Sequence, residues 1–162
     1  MIRFLTIIAL LFSTNSFAKK GSFSSYGVGV FDKNSSTADV KLFSIGYQDE
    51  WLWFLDQKYE GGLWADTRRD IGRSSSGYIA YSIGTEASRD WFYIHSFWGL
   101  ALITHTDSKL STPYQFMQDL GLGFEGDNKV RIGLNYKHIS NAGIKEPNRG
   151  RDFLQIKIQI PY

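Results

Sequence analysis

Near the end of the chain a histidine, a serine and an acid fall within fifteen residues: His138, Ser140 and Asp152. They lie in Asn135-Tyr136-Lys137-His138-Ile139-Ser140-Asn141-Ala142-Gly143 and then Asn148-Arg149-Gly150-Arg151-Asp152. These residue types together do acyl transfer. The serine hydroxyl attacks an ester carbonyl and the imidazole takes and returns the proton. The carboxylate holds the imidazole tautomer and stabilises its charged form. Asn141, Asn148 and the backbone amides around Ala142-Gly143 are candidates for holding the oxyanion. A triad is defined by geometry and not by sequence position, so the spacing alone leaves open a merely polar strand end on a noncatalytic barrel. Residues two apart share one face of a strand. His138 and Ser140 are therefore side by side if a strand runs that far, and the rest of the chain decides where that face looks.

The N-terminus reads as a secretory signal peptide over residues 1–18. Arg3 gives the positive start, 4–12 the short apolar core, and Ser16-Phe17-Ala18 the small-residue exit. The apolar run is too short for a spanning helix, which needs ~20 residues. Cleavage after Ala18 removes one positive charge from a formal net charge of +2. The mature part, residues 19–162, is one domain long. There is no cysteine, so a chain sent out of the cytoplasm does without disulfides. No basic run is present, which argues against a nucleic-acid partner. No cofactor is implied, and His105 with Asp107 makes too small a donor set for a metal.

The remaining sequence alternates in eight segments separated by turn signals, at about 22–31, 38–48, 51–59, 77–86, 91–104, 113–125, 129–140 and 151–162. The second, fourth and sixth connections are short, with Asp49-Glu50, Ala87-Ser88-Arg89-Asp90 and Gly126-Asp127-Asn128 as their turns. The others are longer on the whole. An eight-stranded antiparallel transmembrane β-barrel has this plan, with short turns at one end and long loops at the other. Segments of about 9–11 residues also suit a tilted membrane strand.

The faces carry the same message. Leu154, Ile156, Ile158, Ile160 and Tyr162 oppose Gln155, Lys157 and Gln159; Ile132, Leu134 and Tyr136 oppose Arg131, Gly133, Asn135 and Lys137. A soluble lipid-binding barrel would turn its apolar face inward; a membrane barrel turns it to lipid. Aromatics at strand ends (Trp51, Trp53, Tyr59, Trp64, Trp91, Phe92, Tyr114) read as interfacial girdles, and the chain closes on Tyr162. These features favour the membrane barrel, in the outer membrane. By parity, His138 and Ser140 continue the lipid-facing series of the seventh strand, and Asp152 begins that of the eighth. Cross-strand neighbours have Cβ atoms about 5 Å apart, so Asp152 is within reach of His138. His95 falls on the interior parity of its strand. Arg68, Arg69 and Arg73 read as a solvated loop.

His138-Ile139-Ser140-Asn141-Ala142-Gly143-Ile144-Lys145 with Pro147-Asn148-Arg149-Gly150 resembles the signature of PagL-type lipid A 3-O-deacylases. Ser111-Thr112-Pro113-Tyr114-Gln115-Phe116 with Gly121-Leu122-Gly123 resembles the family's preceding strand. The match covers 110–162 in detail, and the upstream part in strand plan. The resemblance implies an outer-membrane esterase with lipid A as substrate, releasing the 3-hydroxyacyl chain at position 3, with no cofactor. It makes His138 the base, Ser140 the nucleophile and Asp152 the acid, where the family usually has glutamate. Asn141, Gly143 and Asn148 become oxyanion or positioning residues, and Phe116 an aromatic beside the substrate groove. It also allows a homodimer. The competing reading is a noncatalytic barrel with a structural or surface-interaction role.

Overall fold

The computed structural model describes residues 21–31, 38–66, 75–107 and 109–162. The expected signal peptide and the three loop arginines lie outside them. The described residues form eight strands: β1 Gly21–Phe31, β2 Ala38–Leu52, β3 Leu55–Asp66, β4 Ser75–Arg89, β5 Phe92–Ile103, β6 Tyr114–Glu125, β7 Arg131–Ser140 and β8 Arg151–Pro161. Neighbours in sequence pair antiparallel, and β1 pairs with β8 to close a barrel. Closure leaves no unpaired edge, so every strand's backbone groups are answered within the wall, as hydrocarbon surroundings require.

The alternation is realised as expected. Ile156, Ile158 and Ile160 of β8, Ile132 and Leu134 of β7 and Leu100 and Leu102 of β5 are exposed on the outer wall, while Gln155 and Lys157 are buried inside. An apolar wall around a polar interior is the inverse of a soluble barrel. The turn end is tight, with two residues joining β2 to β3 and two joining β4 to β5, whereas β7 and β8 are joined by 141–150.

Two expectations need correction. Asp49 and Glu50 are not a turn but the end of β2, paired with Gln57 and Asp56, and the turn is Trp53-Phe54 with Trp53 at φ 31°. Polar residues at the water-facing end of a membrane strand imitate a turn signal. β3 also runs past the expected end at Tyr59 to Asp66, and Trp64 is on its inner face. Trp64 is buried and packs on Tyr78 and Phe153 with ring centroids 5.7 and 5.5 Å away, so it belongs to the interior and not to a girdle.

The interior is layered. Toward the loops lies an apolar plug of Val40, Leu42, Trp64, Leu110, Met117, Ile139 and Phe153 with their neighbours. Beneath it Lys58 Nζ meets Asp119 Oδ2 at 2.5 Å, Lys137 pairs with Glu60, and Asn135 Nδ2 donates to Asp119 Oδ1 at 2.6 Å. Near the turn end Arg131 donates to Glu86 at 2.9 and 2.6 Å and to Glu125 at 2.7 Å. His95 is in the interior as parity requires, with Nε2 3.6 Å from Asp119 Oδ1. Charge inside a dry wall is tolerable only when paired in this way.

Candidate active site

Ile139 and Phe153 are both fully buried in the apolar plug. Alternation then sends their chain neighbours outward: His138 and Ser140 on β7, Asp152 on β8. His138 and Asp152 are direct cross-strand partners, and Ser140 is opposite Phe116 of β6. The apolar core thus anchors the strand ends that display the polar group on the outer wall.

His138 Nδ1 lies 2.8 Å from Asp152 Oδ1. The short aspartate reaches the imidazole without the extra methylene of a glutamate. Tyr136, one outward position down β7, donates its hydroxyl to the same Oδ1 at 2.6 Å. The Tyr136 hydroxyl and His138 Nδ1 converge on that one oxygen, and a hydrogen bond from Nδ1 to it goes with the tautomer that leaves a lone pair on Nε2. Ser140 is two residues on along the same face, about 6.6 Å from His138, and no hydrogen bond joins its hydroxyl to His138 Nε2 among those of the described residues.

The loop end is tied down around this group. Leu110, fully buried, bridges to Asn148. Arg151 pairs with Asp107, whose carboxylate also takes the backbone N–H groups of Lys109 and Leu110 at 2.7 and 3.0 Å. Burial pushes the Asp107 carboxyl up, but the Lys109 N–H and the Arg151 guanidinium outweigh it and hold it below the usual carboxylate range. A lowered folded-state value means stability that is present above the ordinary aspartate range, near pH 4, and lost as pH falls through the lowered value. Loop protection in hydrogen exchange is therefore expected to persist at neutral pH and to decline below that range.

Asn141 is the knot of this loop. Its backbone N–H donates to Asn148 Oδ1 at 3.0 Å, and its Nδ2 to Lys145 O at 2.7 Å and Ser111 Oγ at 3.1 Å. Its Oδ1 accepts from Gly143 N at 3.0 Å. This changes the expectation for the oxyanion. The Asn141 side chain and the Gly143 N–H are spent on loop structure, whereas Asn148 Nδ2 makes no hydrogen bond among the described residues. Phe116 is on the outer wall, opposite Ser140 in the pairing of β6 with β7.

Two contributors escaped sequence reasoning. Tyr136 looked like one more lipid-facing aromatic, although a tyrosine two residues before a histidine on the same face offers a hydroxyl to the histidine's partner. Gly150 sits at φ +66°, and an added Cβ would be 2.8 Å from His138 Cε1 and 3.3 Å from Ser140 Cβ. Only glycine lets the returning loop lie against both side chains.

Below the polar group the outer wall holds a groove of about 470 Å³, with Leu120, Leu122, Leu134, Tyr136 and Leu154 among its lining residues. A larger one of about 810 Å³ lies over β2 to β6 and includes none of His138, Ser140 or Asp152.

A closed barrel with an apolar exterior, carrying a serine, a histidine and an acid at one rim of its outer wall, defines a class: outer-membrane barrel with a hydrolase-type polar site. A family model for lipid A 3-O-deacylase (PagL) matches residues 37–161. The chain is 38% identical to the lipid A deacylase PagL of Bordetella bronchiseptica (strain ATCC BAA-588 / NCTC 13252 / RB50), across 70% of this chain and 71% of the relative. It superposes on the crystal structure of the outer membrane enzyme PagL with TM-score 0.67 at 20% identity, covering 86% of this chain and 99% of the other. The Yersinia pestis outer membrane protein Ail, in a phospholipid bilayer nanodisc, matches with TM-score 0.50 at 10% identity over 89% of this chain and 100% of that one. The chain belongs to the PagL lipid A 3-O-deacylase family.

Proposed function

We propose that this protein removes the ester-linked 3-hydroxyacyl chain at position 3 of lipid A, with Ser140 as nucleophile, His138 as general base and then acid, and Asp152 as the residue that orients and stabilises the imidazolium. The hydrogen bond between His138 and Asp152 on the lipid-facing wall carries this reading. A polar pair that includes a carboxylate is costly there unless it serves something. His138 Nε2 takes the serine proton as Ser140 Oγ attacks the ester carbonyl, and returns it to the departing sugar hydroxyl. Water, activated by the same nitrogen, then releases the fatty acid and restores Ser140. Asn148 Nδ2 is the donor available to the developing oxyanion. The groove below the site suits the acyl chain, with the sugar at the loops. Because the site opens sideways, the substrate reaches it within the membrane leaflet.

Mass spectrometry of lipid A from a host that keeps its position-3 chain tests this. Expression of the protein is expected to shift lipid A by the loss of one 3-hydroxyacyl residue from that position. Unchanged lipid A in membranes that contain the folded barrel sinks the reading and leaves the noncatalytic barrel.

Two further outcomes concern the support of the site. Tyr136→Phe removes one hydrogen bond to the carboxylate and is expected to lower kcat about tenfold, since a hydrogen bond to a charged group contributes about 1.5–3 kcal/mol before exposure weakens it. KM should hold, because the tyrosine hydroxyl points to Asp152. Gly150→Ala puts a side chain on a left-handed backbone, at about 1–2 kcal/mol, and pushes on the His138 ring. The expected loss of activity is about 10²-fold, the scale of a 1 Å misplacement, with the barrel still folded by gel mobility.

A further inference from the structure

Polar atoms on the lipid-facing wall are costly, and several of them here find a neighbour. Trp98 Nε1 donates to Ser96 Oγ at 3.1 Å, Tyr47 OH to Asp49 at 3.3 Å and Tyr136 OH to Asp152 at 2.6 Å. Gln118 does not. It lies on the outward parity of β6 between Phe116 and Leu120, half-buried, with His138 as its register partner on β7 and Trp98 on β5. No hydrogen bond to its amide is found among the described residues. Apolar wall also continues on its loop side. Phe116 and Tyr114 on its own strand, and Leu100 and Leu102 on β5, are nearer the loops and are exposed and apolar. A leucine would complete the wall at this position. An amide here, without a protein partner, has a use only if something arriving from the membrane answers it.

Its position says what that is. Phe116 pairs with Ser140 and Gln118 with His138, so the amide is one outward step deeper than the nucleophile. That step is about 6.6 Å along the strand, or about 5 Å in depth at a tilt near 45°. An acyl chain whose carbonyl is at Ser140 and whose tail runs toward Leu120 and Leu134 passes Gln118 just beyond its ester. The group to be met there is a hydroxyl a short way down the chain, which donates and accepts as an amide does.

We propose that Gln118 is a specificity-determining residue that hydrogen-bonds the 3-hydroxyl of the acyl chain being removed. The proposal rests on Ser140 being the nucleophile of a lipid A deacylase. A chain without the hydroxyl leaves the amide unsatisfied in a water-poor site, and that asymmetry is the source of selectivity.

The test compares two synthetic lipid A analogues in mixed micelles, identical except that the position-3 chain carries or lacks its 3-hydroxyl. The wild-type protein is expected to favour the hydroxylated chain by about tenfold or more in kcat/KM, a modest share of what a site built around a hydroxyl can achieve. Gln118→Leu and Gln118→Met should lose activity on the hydroxylated analogue, hold or gain activity on the other, and so bring the ratio near one. A ratio that both variants leave unchanged overturns the proposal, whether their rates fall together, as support of His138 alone would give, or do not fall. A folded wild-type protein that cleaves neither analogue overturns the deacylase reading, and this proposal with it.

Discussion

Asp152→Asn is expected to lower lipid A deacylation about 10³-fold while leaving the barrel and substrate binding intact. The amide oxygen can still accept from Tyr136 and from His138 Nδ1, so the ring need not move. What is lost is the negative charge that stabilises the imidazolium as Ser140 gives up its proton. A fully buried triad acid changed in this way costs about 10⁴-fold. The Asp152 side chain is 43% exposed, so screening by its surroundings reduces the effect. Asp152→Glu recreates the acid usual in the family and is expected to retain most activity. Rates of acyl release by the purified variants, with KM measured alongside, check both. An Asp152→Asn enzyme within about threefold of wild type would mean that the carboxylate is not part of the reaction.

The second large effect concerns stability. Asp119→Ala is expected to destabilise the barrel by about 3–5 kcal/mol, the usual result of leaving a buried charge without its partner. Asp119 is fully buried and meets Lys58, Asn135 and His95, with Lys137 Nζ 3.9 Å away. Removing it leaves Lys58 and Lys137 facing each other with Glu60 as their shared counter-charge. The double change Lys58→Met with Asp119→Leu removes both members of one pair and should recover much of the loss, because an apolar pair of similar volume is often as stable as an ion pair it replaces. Urea unfolding in detergent micelles, followed by tryptophan fluorescence, compares both variants with the wild-type protein. A single variant as stable as wild type would show that the interior charges are solvated and not locked together.

Much of the barrel was legible in sequence because lipid imposes a uniform rule on one face of every strand. Ile156, Ile158 and Ile160 can only face outward if Lys157 and Gln159 are to face in. The same rule gave His138, Ser140 and Asp152 their direction, since each is separated from its strand's apolar series by even steps. What was not legible depended on register and on distant contacts. Asp49-Glu50 looked like a turn because nothing local says that they pair with Gln57 and Asp56. Trp64 looked interfacial because the third segment ends near Tyr59 in sequence, whereas β3 runs on to Asp66 and takes Trp64 into the wall. The fastening of Asn141 to Ser111 joins residues thirty apart, and Gly150 looks like any loop glycine until the His138 ring is seen against it. Gln118 did not stand out in sequence, because a polar residue within an apolar series becomes meaningful only when its neighbours across the sheet are known.

The most direct measurement compares the wild-type protein with Ser140→Ala, each purified, folded and incorporated into vesicles that contain hexa-acylated lipid A, with the products read by mass spectrometry. The wild-type protein is expected to release the position-3 chain as a free 3-hydroxy fatty acid, and Ser140→Ala to leave the lipid intact, with a rate lower by about 10⁴-fold or more. A Ser140→Ala protein that is folded and still releases that chain at a rate near wild type would contradict the assignment of Ser140 as the nucleophile.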